Sequence, residues 1–255
     1  MTDVLLDRRG GVGVITLDAP ERRNALTVDM SARLAELVGE CEGDPAVGAI
    51  VITGTPPAFC AGADLTLLGE SREEGLRAIY AGFLAVARST LPTIAAVGGA
   101  AVGAGLNLAL AADVRLAGAR ARFDARFLQL GIHPGGGMTW MLQRIVGPQT
   151  ATAMTLFGQI PDAAEAERVG LVLRTVDGDH DALVDAAVAL AGPAAVGPRD
   201  LVRSIKRTLK TTSAITEHAD AVEIELIAQV ASMDTPEFAQ LLAQLRARIS
   251  GQAPS

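Results

Sequence analysis

The sequence predicts an α/β fold in which short buried strands alternate with helices, followed by a helical C-terminal region. Three observations carry this. Apolar residues make up 49% of the 255 residues and aromatics only 3%, so the core is built from Ala, Val, Leu and Ile, with 27 glycines permitting close approach of its elements. Strand-like and helix-like hydrophobic periodicities alternate along the N-terminal part of the chain. After the stretch AGPAAVGPRD, strand signals give way to helical spacing.

In order, DVLLDRRGGVGVITLDAP reads as two β-runs about a Gly-rich turn, and RNALTVDMSARLAELVGECEGD carries helical spacing at Leu26, Met30, Leu34 and Leu37. VGAIVITGT is a continuous buried strand ending in turn residues. PPAFCAGADLTLLGE and a polar loop follow, then a helix from about Glu73 to Arg88. LPTIAAVGG is the next strand, GLNLALAAD the next helix, and VRLAG and ARFDAR are further short strands, so a strand-to-helix unit recurs. From PGGGMTWMLQRIVG the pattern turns helical, with Met138 to Ile145, Pro148 to Phe157 and DAAEAERVG leading into the short strand LVLRTV. The Gly/Pro break at AGPAAVGPRD sets off helices at about Arg199 to Leu209 and Ser213 to Ser232, and a last one after DTPE. The expected division is a core at 1–195 and a helical region at 196–255, whose Ala, Leu and Ile at helical spacing suit packing on its own core or on a neighbouring subunit.

The net charge of −7, with acids and bases interspersed, argues against non-specific nucleic-acid binding but leaves room for a local basic patch facing a phosphorylated ligand. Cys41 and Cys60 are too few for a disulfide framework and lie in no metal-ligand spacing, which suits reduced thiols and no bound metal. The N-terminal apolar run contains charges, and no run of eighteen uncharged apolar residues follows. The expectation is a soluble, cytoplasmic protein with neither signal peptide nor membrane span.

Two small-residue turns carry the chemistry. In VGAGLNLAL, Gly103 and Gly105 bracket Ala104 where a strand turns into a helix, yet the third glycine of a dinucleotide fingerprint is missing and no P-loop occurs. AFCAGADL, from Ala58 to Leu65, likewise follows a buried strand. Two such turns can aim one backbone N–H each at a common point, as an oxyanion hole for a thioester enolate or tetrahedral adduct requires.

RRNAL, AFCAGADL, AAVGGAAVGAGLNLALAADVRLA, LGIHPGGGMTWMLQRIVG and AAEAERVGLVLRTV, in this order and at these spacings, resemble the crotonase (enoyl-CoA hydratase/isomerase) superfamily over most of the chain. The resemblance implies the ClpP/crotonase-like fold of repeated ββα units and an acyl-CoA or enoyl-CoA thioester as ligand. Coenzyme A then enters as part of the substrate, with no separate cofactor. It also implies a C-terminal helical region used in forming a homotrimer or a dimer of trimers. Carried over by position, the oxyanion donors are the N–H groups of Ala63 and Ala104. Ala61, Asp64 and Leu65 line the adenine and pantetheine side, Ala25 and Gly103 are further substrate- or CoA-binding positions, and Arg23 meets a CoA phosphate or is a solvated surface charge. Leu242 and Leu245 stand where the family's last helix carries an aromatic residue and a lysine on the adenine side, leaving Arg246 as the nearby charge.

The chain departs from the family at the acid and base. Asn107 and Phe127 occupy the positions of the two glutamates that activate water in the hydratases. An amide does not exchange protons near neutral pH and a phenyl ring has none to give, so the two-carboxylate mechanism is unavailable at these positions. His133 is the candidate acid/base in the loop expected to close over the acyl group, with hydrogen bonding to backbone as its structural role. Asp124, three residues before Phe127 in an apparent strand, is expected on the opposite face. Glu70, Glu73 and Glu74 read as a solvated charge run, Asp113 as structural, and Trp140 and Phe127 as fillers or walls of an acyl tunnel. Two functions remain open: an enzyme hydrating or isomerising enoyl thioesters, and an acyl-CoA binding protein without turnover. A serine peptidase on the related fold lacks its nucleophile at 104–107.

Overall fold

A computed structural model describes residues 3–64 and 72–249. By contacts the chain divides into two compact units, Met1–Ala195 and Val196–Ser255.

The first unit opens with β1 (Val4–Arg9) and β2 (Val12–Leu17), an antiparallel pair, and α1 (Val28–Gly43), whose N-cap Thr27 accepts the N–H of Met30. Three ββα-type repeats follow. In the first, β3 (Ala49–Gly54) and β4 (Ala58–Cys60) precede α2 (Arg72–Arg88); in the second, β5 (Thr93–Val97) and β6 (Ala100–Val102) precede α3 (Ala104–Ala111). In the third, β7 (Val114–Gly118) and β8 (Arg122–Asp124) lead through a 3-10 turn at Leu128–Leu130 to α4 (Met138–Leu156). The unit ends with α5 (Ala163–Arg168), β9 (Arg174–Val176) and α6 (His180–Val196), which crosses the boundary by one residue. The first strand of each repeat enters a sheet of order β1-β2-β3-β5-β7-β9, parallel from β2 onward, while the second strands form a separate parallel sheet, β4-β6-β8.

The large sheet is covered on both faces, which is why β3 reads as an unbroken apolar run. Ile50 and Ile52 face the core formed with Leu34, Leu37, Phe83 and Val86 of α1 and α2. Ala49 and Val51, alternating with them, face Leu183, Val184, Ala187 and Ala191 of α6. The second unit comprises α7 (Arg199–Thr212), α8 (His218–Met233) and α9 (Pro236–Ile249).

Three expectations are corrected. The stretch AGPAAVGPRD does not begin as a break: α6 runs through Gly192 and Pro193 to Val196. The helix expected from Ser213 starts at His218, and LVLRTV supplies a strand only over Arg174–Val176. The two helices read on either side of Gly147 are borne out: the helical path of α4 is interrupted there, at φ 75° and ψ 167°.

Two buried polar side chains fasten the segments that carry the site. Asn24, at φ 58°, donates from Nδ2 to the carbonyls of Thr55 and Ala58, both at 2.8 Å, and its Oδ1 accepts the N–H of Ala19 at 2.9 Å. Arg115 donates to the carbonyls of Ala112 at 2.8 Å and Leu171 at 2.7 Å, closing the C-terminal end of α3; burial pulls its guanidinium down to about 10, opposed by Asp113. Asn24→Ala leaves buried carbonyls and an N–H unpaired and puts Ala at positive φ. Each orphaned group costs about 1–3 kcal/mol, so urea denaturation is expected to show a loss of at least that size, recovered only slightly in Asn24→Gly.

Candidate active site

The site is set by which strands are neighbours. Because β4, β6 and β8 are parallel and adjacent, the segments that leave them emerge at one end of the small sheet. Ala61, Gly62 and Ala63 after β4, Gly103 and Ala104 after β6, and Ala125, Arg126 and Phe127 after β8 all line one cavity of about 670 Å³. That size accommodates a small-molecule ligand. Close packing makes the arrangement possible: a Cβ on Gly105 would lie 2.1 Å from the carbonyl oxygen of Cys60, so only glycine lets α3 sit against β4.

The first turn is fixed by the 23–26 segment. Ala61 donates to the carbonyl of Arg23 at 3.0 Å, Leu26 donates to Gly62 at 2.7 Å, and Asp64 donates to Leu26 at 2.8 Å. This is a parallel bridge between Leu26 and Ala63, in which the flanking groups bond and the N–H of Ala63 points away from the partner segment. The second turn is fixed by Gly103, whose N–H donates to Asp124 at 2.9 Å and whose φ of 51° is glycine's. Ala104 is the first residue of α3, where an N–H has no intrahelical acceptor. Among the described residues neither the Ala63 nor the Ala104 N–H has a partner.

Asn107 lies on the same helix, 1% exposed, and lines the cavity. Its Nδ2 donates to the Gly135 carbonyl at 3.0 Å, which fixes the amide orientation and leaves Oδ1 buried with no hydrogen-bond partner. The Gly135–Gly136 backbone packs so closely that a Cβ on Gly135 would lie 2.1 Å from the Tyr80 hydroxyl, and one on Gly136 would lie 2.6 Å from Nδ2 of Asn107. His133, exposed at the mouth, donates from Nδ1 to the Pro134 carbonyl at 2.7 Å; in the neutral ring this leaves Nε2 as the acceptor. The ionisable groups lining the cavity are Arg72, Tyr80, Arg126 and His133, and among the described lining residues none carries a carboxylate.

The structure therefore brings Ala61, Ala63, Gly103, Ala104, Asn107, Phe127 and His133 together. Trp140 is not with them: it is exposed and stacks on Arg144, whose guanidinium lies 3.9 Å from the ring centroid. Arg23, Ala25 and Asp64 lie outside the cavity lining, and Leu65 and Glu70 fall outside the described residues. Glu73 is exposed and paired with Arg77. Asp113 accepts the N–H and hydroxyl of Thr93, tying α3 to β5. Phe127 lines the cavity and Asp124 does not, in keeping with the opposite faces expected; β8 ends at Asp124, whose buried carboxylate pairs with Arg126. Asn24, Tyr80 and Arg126 were not singled out from the sequence; only Asn24 carried a signal, as a side chain tolerant of positive φ between an Arg pair and a helix start. Among the described residues no group of three or more His, Cys, Asp or Glu is placed to hold a metal, and no single helix is long and apolar enough to cross a membrane.

The family model described as enoyl-CoA hydratase/isomerase matches residues 7–242. The Mycobacterium tuberculosis protein named "Probable enoyl-CoA hydratase echA14" is 51% identical over 254 residues, covering 96% of this chain and 98% of that protein. The short-chain-enoyl-CoA hydratase of Clostridium acetobutylicum is 37% identical over 182 residues, 69% of this chain and 70% of that one. A crystal structure of enoyl-CoA hydratase from Bacillus anthracis superposes with a TM-score of 0.88 at 26% identity, covering 99% of this chain and 98% of that chain.

Cys60 precedes the first turn directly, and burial pushes its thiol up to about 12, while burial pushes Cys41 up to about 11. Thiolate is the reactive form. Native protein treated with iodoacetamide near neutral pH is therefore expected to show neither cysteine alkylated by mass spectrometry, and urea-unfolded protein to show both.

Proposed function

The chain belongs to the enoyl-CoA hydratase/isomerase family, and from that premise we propose that the cavity binds an acyl-CoA or enoyl-CoA thioester with its carbonyl oxygen between the N–H groups of Ala63 and Ala104. The observation that carries this is the pair of unpartnered N–H groups on adjacent turns of one cavity. Such donors stabilise the negative charge that develops on the thioester oxygen when C2 becomes enolate-like. Arg23 supports the placing of CoA: its guanidinium is exposed and in no ion pair among the described residues, as a phosphate partner requires. Ala25 lies in the same 23–26 segment and Asp64 donates its N–H to Leu26 of it, and coenzyme A arrives as part of the substrate.

Proton movement falls to His133. Its Nε2 accepts a proton from water as the oxygen adds to C3, and the proton is returned to C2; in isomerisation the same nitrogen carries a proton between C2 and C4. Asn107 takes no part as acid or base. Its Oδ1 is an acceptor for a water or ligand O–H beside the acyl group. The lack of any carboxylate on the described lining favours a second reading, an acyl-CoA binding protein with little or no turnover. For assembly we propose a homotrimer or a dimer of trimers through the C-terminal helices, supported by the exposure of Val230, Ile227 and Ile249.

Isothermal calorimetry is expected to detect binding of butyryl-CoA, and an absence of binding across a panel of acyl-CoAs overturns the reading. Crotonyl-CoA hydration is expected far below that of a two-glutamate hydratase, and His133→Ala is expected to lower it by about 10²-fold or more if the imidazole is the acid/base. A normal rate that His133→Ala leaves unchanged places the acid and base elsewhere than His133, and absence of turnover in the wild type leaves the binding-protein reading. Ala104→Pro deletes one donor at the first helical position, where proline is tolerated. It is expected to cost about 2.7–4 kcal/mol in kcat/KM with α3 intact by circular dichroism.

A further inference from the structure

Arg126 stands at the cavity wall with a positive φ, which among the described non-glycine residues only Arg23 and Asn24 share. The N–H of Phe127 donates to the carbonyl of Ala125 at 2.7 Å, which makes Arg126 the central residue of a γ-turn, and its φ of 54° puts that turn in the rare, strained positive-φ form. Strain of this kind is kept where surrounding contacts over-determine it, and it marks places worth testing for function. The contact that does so is visible. Nε of Arg126 donates to Oδ2 of Asp124 at 2.8 Å, and Nη2 donates to the same oxygen. The Asp124 side chain is 5% exposed and the Arg126 side chain 47%. The carboxylate is thus the buried anchor, and the half-exposed Arg126 lines the cavity. Nη1 has no acceptor among the described residues.

The other charge on the wall has the same sign: Arg72 lines the same cavity, and no carboxylate does among the described lining residues. A hydrocarbon acyl group filling this space would strip water from Nη1 and offer nothing in return, and a charged donor left unpaired in a dehydrated site is costly. A carboxylate on the acyl group would instead make a charge-assisted hydrogen bond to a guanidinium already oriented by Asp124.

We propose that the site selects thioesters of dicarboxylic acids, with Arg126 as the specificity-determining residue for the carboxylate distal to the thioester. This rests on the acyl-thioester reading above. Discrimination arises because the site's polar group is satisfied only by a ligand that carries the matching anion.

The test compares chains of equal length, succinyl-CoA against butyryl-CoA and glutaryl-CoA against valeryl-CoA, by calorimetry on the full chain. At least one dicarboxylic member is expected to bind about tenfold or more tighter than its partner. R126M, which keeps the length and removes the fork, is expected to bring that ratio near one. Since R126M also leaves Asp124 buried without its partner, the double variant Asp124→Asn, Arg126→Gln removes both charges and is expected to give the same loss. Equal or tighter binding of butyryl- and valeryl-CoA by the wild type overturns the proposal and leaves the acyl-thioester reading standing. A preference that survives in whichever variant is folded removes Arg126 from the role. Failure of all four thioesters to bind overturns both.

Discussion

The parallel pairing of β4, β6 and β8 is the constraint on which the rest of the molecule depends. Each of these strands is only three residues long, too short to hold a sheet by its own ladder, and each is placed by the longer strand before it in the large sheet. What the small sheet adds is a common exit. Three chain segments far apart in sequence leave it side by side, and the cavity is the space among them. The approach needed is set by backbone contact with no side chain between: Gly105 against the Cys60 carbonyl, and Gly99, where a Cβ would lie 2.4 Å from the Pro57 carbonyl. A methyl group at either position would push β4 away from its neighbours, and with it the N–H of Ala63.

Much of the fold was legible because its signals are local. The fully apolar VGAIVITGT and LPTIAAVGG are strands buried on both faces, and α1 follows the spacing of Met30, Leu34 and Leu37. What was illegible has a physical cause in each case. β4 and β6 lie inside segments that read as small-residue turns, and three residues show no periodicity. α6 was masked by Gly192 and Pro193, and it persists because tertiary burial of Leu183, Val184, Ala187 and Ala191 outweighs propensity. Tyr80 reads as one more apolar position of α2, and its place against the glycine loop follows only from how α2 crosses α3.

Asn107 and Phe127, which the family resemblance aligns with the hydratase glutamates, differ in what they bring to the cavity. Phe127 fills its place with apolar surface and brings no unmet polar group. Asn107 does not: it keeps one side of a buried hydrogen-bonding pattern, donating to Gly135, and holds out an acceptor that no protein group meets. A buried acceptor without a partner is destabilising relative to an apolar side chain of the same shape. Had this position become merely structural, Leu or Met would pack there without that cost, as the neighbouring Leu106 and Leu108 do. An amide retained in an otherwise apolar helix fits a ligand or water that completes it.

The same reasoning applies to the charges. A site that moves protons with two carboxylates must keep cations away from the acyl group, or it would tie those carboxylates into ion pairs and lower their basicity. Among the described lining residues here there is no carboxylate, and two arginines stand on the wall. With Asn107 and Phe127 uncharged, no acid at those positions opposes a cation such as Arg126. With Asp124 as its buried anchor, Arg126 is held without neutralising anything the ligand would need. On the proposed reading, the cavity offers backbone N–H groups to a thioester oxygen and arginines in place of carboxylates on its described wall. Geometry and charge of the same cavity can change independently because backbone amides set the first and side chains the second.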